Sequence, residues 1–213
     1  MRRKQDITII SGTGRAGTTF LMRIFVILEM NTGFSSDALE FKNEDNRFGK
    51  KGHVFFKSNS GLEKQLRFKA NSMDCEIIKQ PCAYIRPNAV KKICNFYNPH
   101  WIIPIRNAEE VSKSRAKLKN DPGGFWPQSI KNEDDQRVLN HKMLSEFLHV
   151  AVELGIEDNI TYLDFKKIKE DPIYVFNKLK FLFDKYGIEF TKFKQAYITA
   201  DRLSKLKSNK VSS

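Results

Sequence analysis

The chain has 213 residues, 40% hydrophobic and 29% charged, which suits one globular domain with a full core and excludes a low-complexity or repeat architecture. Lys and Arg number 37 against 25 Asp and Glu, a formal net charge of +12 that favours anionic ligands in general: nucleotides, nucleic acid, acidic glycans or anionic lipid. Cys75, Cys82 and Cys94 are odd in number and lack CxxC spacing, so a disulfide framework and a zinc site are both disfavoured, and free thiols of a reducing compartment are expected.

In chain order, residues 1–6 are basic and polar, with no signal-like apolar core before the first strand. The β-branched run 7–10 predicts a short buried strand, and Gly12, Gly14 and Gly17 follow as a glycine-rich turn. Residues 19–30 carry apolar residues all round, broken by Arg23, as expected of a helix packed under a sheet, and Asn31-Thr32-Gly33 stops it. That run is too short and too interrupted to cross a bilayer, so a cytoplasmic protein is expected. Residues 34–72 are polar and uneven and read as a long loop or lid insertion carrying Asp37, Glu40 and His53.

A second strand is predicted over 75–80, ended by Pro81, then a helix over 88–97 and a third strand over 101–107. A helix over 108–119 opens with Glu109 and Glu110, where the helix dipole favours acids. Residues 121–127 form a turn-rich loop with Phe125 and Trp126. A long amphipathic helix spans 134–154, closed by Gly155. A fourth strand over 160–165 precedes one helix over 173–186 and another over 190–206, with a frayed basic tail at 207–213. Strands alternating with helices predict a three-layer, P-loop-like α/β fold with a mostly parallel central sheet, in a single domain of 1–213.

A strand feeding a glycine turn at a helix N-terminus forms an anion site, because backbone N–H groups and the helix dipole converge there. The nucleotide P-loop, G-x-x-x-x-G-K-[ST], is matched at Gly12, Gly17 and Thr19, but Thr18 stands at its lysine. The third strand delivers Arg106 rather than a metal-binding Asp; Asp164 on the fourth could stand in. Arg106 lies at the C-terminal end of a strand, where open α/β sheets bind ligands, and Ser114 follows two helical turns later. Together they could clasp a second anion, unless Arg106 merely pairs with Glu109 or Glu110 and Ser114 faces solvent.

Gly14-Arg15-Ala16-Gly17-Thr18-Thr19-Phe20-Leu21 resembles the 5′-phosphosulfate loop of sulfotransferases that use 3′-phosphoadenosine-5′-phosphosulfate (PAPS), usually P-K-S-G-T-T-W-L. Ile103-Pro104-Ile105-Arg106-Asn107, with Ser114 after it, is similar to their 3′-phosphate motif, although Ala108 replaces the usual proline. The stretches around Gly123-Gly124-Phe125-Trp126 and from Leu163-Asp164-Phe165 to Asp171-Pro172 extend the likeness to small bacterial-type relatives.

The resemblance implies that Gly14, Arg15, Ala16, Gly17, Thr18 and Thr19 hold the 5′-phosphosulfate and that Arg106 and Ser114 hold the 3′-phosphate. Arg15 stands at the family's lysine; a guanidinium can neutralise charge there but is a poor acid. Lys79 occupies a position where relatives carry a catalytic lysine, while Pro81 replaces the His some place two residues later. Asp37, Glu40 and His53 are the candidates for the base, with Glu40 favoured by relatives that use a Glu in this region. The expected activity is sulfuryl transfer from PAPS to a hydroxyl or amine acceptor without a metal, releasing 3′-phosphoadenosine-5′-phosphate. The alternatives are a kinase of the same fold using ATP–Mg, or a non-catalytic nucleotide- or nucleic-acid-binding module. No basic–aromatic ladder of a single-strand binder is present, so nucleic acid ranks last.

Overall fold

Alternation of apolar residues along four short strands divides the interior into two cores. The computed structural model describes residues 4–34, 39, 75–79, 85–116 and 129–211. Strands β1 (Gln5–Ile10), β2 (Ile77–Lys79), β3 (Tyr97–Ile105) and β4 (Ile160–Asp164) form an all-parallel sheet in the order β2-β1-β3-β4. Successive side chains of a strand point to opposite faces. Ile7, Ile9, Ile78, Trp101 and Ile103 therefore meet helices α2 (Pro87–Phe96) and α4 (Glu133–Leu154) through Val90, Ile93, Met143 and Phe147. Ile10, Ile77, Ile102 and Leu163 face the other way, onto α1 (Thr18–Ile27) and the C-terminal helices. The expected three-layer, P-loop-like α/β arrangement is the one observed.

Helix α1 ends at Ile27, earlier than residue 30. Glu29 takes a left-handed φ of 56°, its N–H reaches the Val26 carbonyl and the Met30 N–H reaches that of Phe25, both at 3.0 Å. This closes the helix in a Schellman-type cap six residues before the Asn31-Thr32-Gly33 stop is complete. Helix α3 covers Ala108–Ala116, and α4 ends as expected at Gly155, whose φ is 62°.

Beyond β4 the chain departs from expectation. The strand stops at Asp164, one residue short of the expected end, and Phe165–Glu170 forms a helix, α5, that no expectation anticipates. Asp164 caps it, its Oδ1 accepting from the Lys167 N–H at 3.0 Å. The single helix expected over 173–186 is two, α6 (Pro172–Lys178) and α7 (Lys180–Lys185), bent at the fully buried Leu179. Across this bend Phe176 stacks on Phe183 at 5.3 Å between centroids, and both meet Phe193 of the last helix, α8 (Phe190–Val211). No helix among the described residues is long and apolar enough to cross a membrane.

Candidate anion-binding site

Because β1 and β3 pair in parallel, with Ile10 opposite Ile102, their C-terminal ends open on the same edge of the sheet. The glycine turn after β1 and the segment after β3 are thereby side by side, although about ninety residues separate them in sequence. The turn is wound through positive φ at Gly12 (135°), Gly14 (79°), Arg15 (56°) and Gly17 (94°). Gly17 is the N-cap of α1 and brings no side-chain acceptor to it. The N-terminus of this ten-residue helix, the positive end of its dipole, thus lies directly after the turn with no side-chain cap. Glycine at 17 is required twice over: a Cβ would take a left-handed φ and lie 3.2 Å from Cδ2 of Phe165.

Arg15 is a non-glycine residue in the left-handed region, a conformation that costs about 1–2 kcal/mol. Its two ends are held. Its Nε donates to Ser114 Oγ at 3.0 Å, and its carbonyl accepts from Arg106 Nη1 at 3.2 Å. Arg106 also donates through Nε to Glu110 Oε2 at 2.8 Å, and its guanidinium lies 4.5 Å over the Phe165 ring. The ion pair weighed as an alternative for Arg106 is therefore present, but it coexists with the contact to the turn, and the Glu110 side chain is 58% exposed. Ser114 is half-buried and, with the Arg106 bond to the Arg15 carbonyl, ties the two segments together.

Behind Ser114 lies a residue that sequence reasoning missed. Arg115 is fully buried and donates to Gln136 Oε1 of α4 at 2.8 Å. Burial, then the charges of Arg106 and Arg115, lowers the Arg15 pKa from its ordinary value. The guanidiniums of Arg106 and Arg115 thus lie near enough to that of Arg15 to act on its charge.

Lys79 ends β2, opposite Ile10 at the foot of the turn. It is only 1% exposed, which removes the solvated-lysine alternative. Burial, and next the positive charge of Arg23, pulls its pKa down to about 7. Arg23, read from sequence as a mere break in an apolar run, is 5% exposed inside α1 and donates to Ser204 Oγ of α8 at 2.7 Å. Its only signal in sequence is a charge inside an otherwise apolar helix.

The remaining loop residues are in place around this corner. Ala16 is fully buried, Thr18 is 4% exposed at the P-loop lysine position, and Thr19 is half-buried. Asp164, the possible stand-in for a metal-binding Asp, is occupied as the cap of α5. Asp37, Glu40 and His53 lie outside the described residues, as do Pro81, Phe125 and Trp126. Cys75 and Cys94 are free thiols, and Cys82 is likewise outside the described residues.

No known family profile matches the chain, and no curated protein matches it by sequence. Solved structures do. The sulfotransferase domain from the Synechococcus PCC 7002 olefin synthase aligns at 16% identity with a TM-score of 0.52, over 92% of this chain and 78% of that one. The sulfotransferase domain from the curacin biosynthetic pathway aligns at 14% identity with a TM-score of 0.57, over 92% of this chain and 79% of that one. With its parallel four-stranded sheet, glycine turn and flanking helices, this chain has the P-loop-like α/β fold of sulfotransferase domains.

Proposed function

We propose that this protein transfers the sulfuryl group of PAPS to a hydroxyl or amine acceptor. The observation that carries the reading is the junction of Arg15, Arg106 and Ser114, which sets two cationic side chains and a hydroxyl at the ligand-binding edge of the sheet. A ligand with two separated anionic groups fits that arrangement. A triphosphate–magnesium ligand fits it less well, because Thr18 replaces the P-loop lysine and Asp164 caps a helix.

In this reading the N–H groups from Gly14 to Thr19 and the N-terminus of α1 hold the 5′-phosphosulfate. Arg106 and Ser114 hold the 3′-phosphate; Ser114 exchanges its bond from Arg15 for one to the ligand, which frees Arg15 Nε to turn to the 5′ side. The acceptor oxygen or nitrogen attacks sulfur, the bond from sulfur to the bridging oxygen breaks, and that oxygen keeps the electron pair. Arg15 neutralises the charge that develops there, and being permanently protonated it does so at any working pH. Lys79 in its ammonium form donates to the sulfuryl group, and a bound anion draws its pKa upward. The proton lost by the acceptor goes to a base; Glu40, Asp37 and His53 remain the candidates.

The test is ligand-dependent thermal stability. A ligand that binds only the folded state raises the melting temperature by mass action. 3′-Phosphoadenosine-5′-phosphate should stabilise the protein and ATP–Mg should not; the reverse order would overturn the reading. Arg106→Ala should abolish the preference for PAPS over adenosine 5′-phosphosulfate, and an unchanged preference would remove Arg106 from its role.

A further inference from the structure

The side chain of Phe165 touches both halves of the site. Its ring face lies 4.5 Å from the Arg106 guanidinium carbon, and its ring edge lies 3.2 Å from the position a Cβ on Gly17 would take. We infer that Phe165 is a positioning residue that fixes Arg106 relative to the glycine turn and so sets the protein's selectivity for a 3′-phosphate. The inference rests on the two-anion reading given above.

Arg106 has three supports, and they are unequal. The bond to Glu110 reaches an exposed carboxylate, and surface pairs of this kind contribute little and weaken with salt. The bond to the Arg15 carbonyl restrains one nitrogen but not the plane of the group. The aromatic face covers the carbon at the centre of the group, and its half-buried ring is held by the fold rather than by an exposed side chain. The ring in turn has little freedom. Asp164 caps α5 directly before it, the Asp164 N–H donates to the Tyr174 hydroxyl at 2.9 Å, and Ile168, one turn on, is fully buried. A half-buried aromatic at the first position of a short helix is thereby made rigid from both sides. Movement of the ring would shift Arg106 and release the packing against Gly17 together, so one side chain sets the spacing between the two anion subsites.

Calorimetric titration with adenosine 3′,5′-bisphosphate and with 5′-AMP measures that selectivity directly. The wild-type protein should bind the bisphosphate more tightly. Phe165→Leu keeps apolar volume beside Gly17 and removes the ring face; it should narrow the ratio of the two affinities by on the order of three- to fivefold, with 5′-AMP affinity little changed. Phe165→Tyr should restore the ratio. In an Arg106→Ala background, Phe165→Leu should leave the ratio where it is. Phe165→Met, measured in the same way, decides the matter if the leucine variant does not fold. Equal loss of both affinities, or an unchanged ratio in a wild-type protein that prefers the bisphosphate, overturns the role of Phe165 alone. A wild-type protein with no preference overturns the two-anion reading and this inference with it.

Discussion

Replacing Lys79 with methionine should abolish a pH dependence of stability that the wild-type fold carries. The lysine is 1% exposed and its pKa falls from 10.5 to about 7 through burial and the charge of Arg23. Around that pair, Lys169 of α5 is itself lowered by burial and bonds to Asp201 of α8 at 3.3 Å, and Lys205 pairs with the same carboxylate. A depressed lysine binds fewer protons folded than unfolded between the two pKa values. The unfolded state therefore binds the extra proton, and stability rises with pH across that window. At about 1.36 kcal/mol per pH unit once the folded amine is neutral, the gain from pH 7 to pH 9 is roughly 2 kcal/mol. With a urea m-value of about 2 kcal/mol/M, the midpoint of the wild type should move up by ~1 M relative to that of Lys79→Met over the same interval. Groups common to both proteins cancel in the difference. Parallel midpoints at pH 7, 8 and 9 would show that Lys79 titrates normally and would remove the pH-sensitive donor from the proposed mechanism.

Gly17→Ala should cost about 2 kcal/mol, from the left-handed φ and the 3.2 Å approach to Phe165, and lower the melting temperature by roughly 5 °C in calorimetry. Gln136→Leu should also cost about 2 kcal/mol in urea unfolding, because it removes an acceptor from the fully buried Arg115. Glu110→Ala should release Arg106 Nε and tighten binding of adenosine 3′,5′-bisphosphate up to about fivefold in titration calorimetry at low salt. That gain should shrink as salt is raised, since the pair it removes is exposed.

The centres of the strands were legible because β-branched and aromatic runs bounded by Gly, Pro or charge leave few other readings, although β3 starts at Tyr97, four residues before the apolar run that announces it, and Gly155 marked the end of α4 as its φ of 62° requires. The elements after β4 were not. Phe165 continues a β-favouring run, and only the cap at Asp164 turns the chain into a helix there. The break at Leu179 has no glycine or proline to announce it; it accompanies the stacking of Phe176 on Phe183, a contact between residues seven apart that tertiary packing against Phe193 completes. Glu29 adopts a conformation usual for glycine, so the end of α1 was read too late.

The site divides in the same way. Arg15, Arg106 and Ser114 stand at strand–helix junctions, and spacing within each motif located them. What spacing could not supply is how the motifs meet: Arg15 reaches Ser114 only because β1 lies beside β3 and because a positive φ turns its side chain across the gap. The buried charges were hidden for a stronger reason. Arg23 is held by Ser204, 181 residues away, and Arg115 by Gln136 on another helix. A charge enters a core only where the fold brings it a partner or a function. Arg15 is lowered by burial and then by the nearby charges of Arg106 and Arg115, and Lys79 by burial and then by Arg23. In both, burial is the larger cause and a neighbouring like charge adds to it. Arg15 and Lys79 both stand at the end of the sheet where the glycine turn opens, the end at which the proposed function puts its anionic ligand.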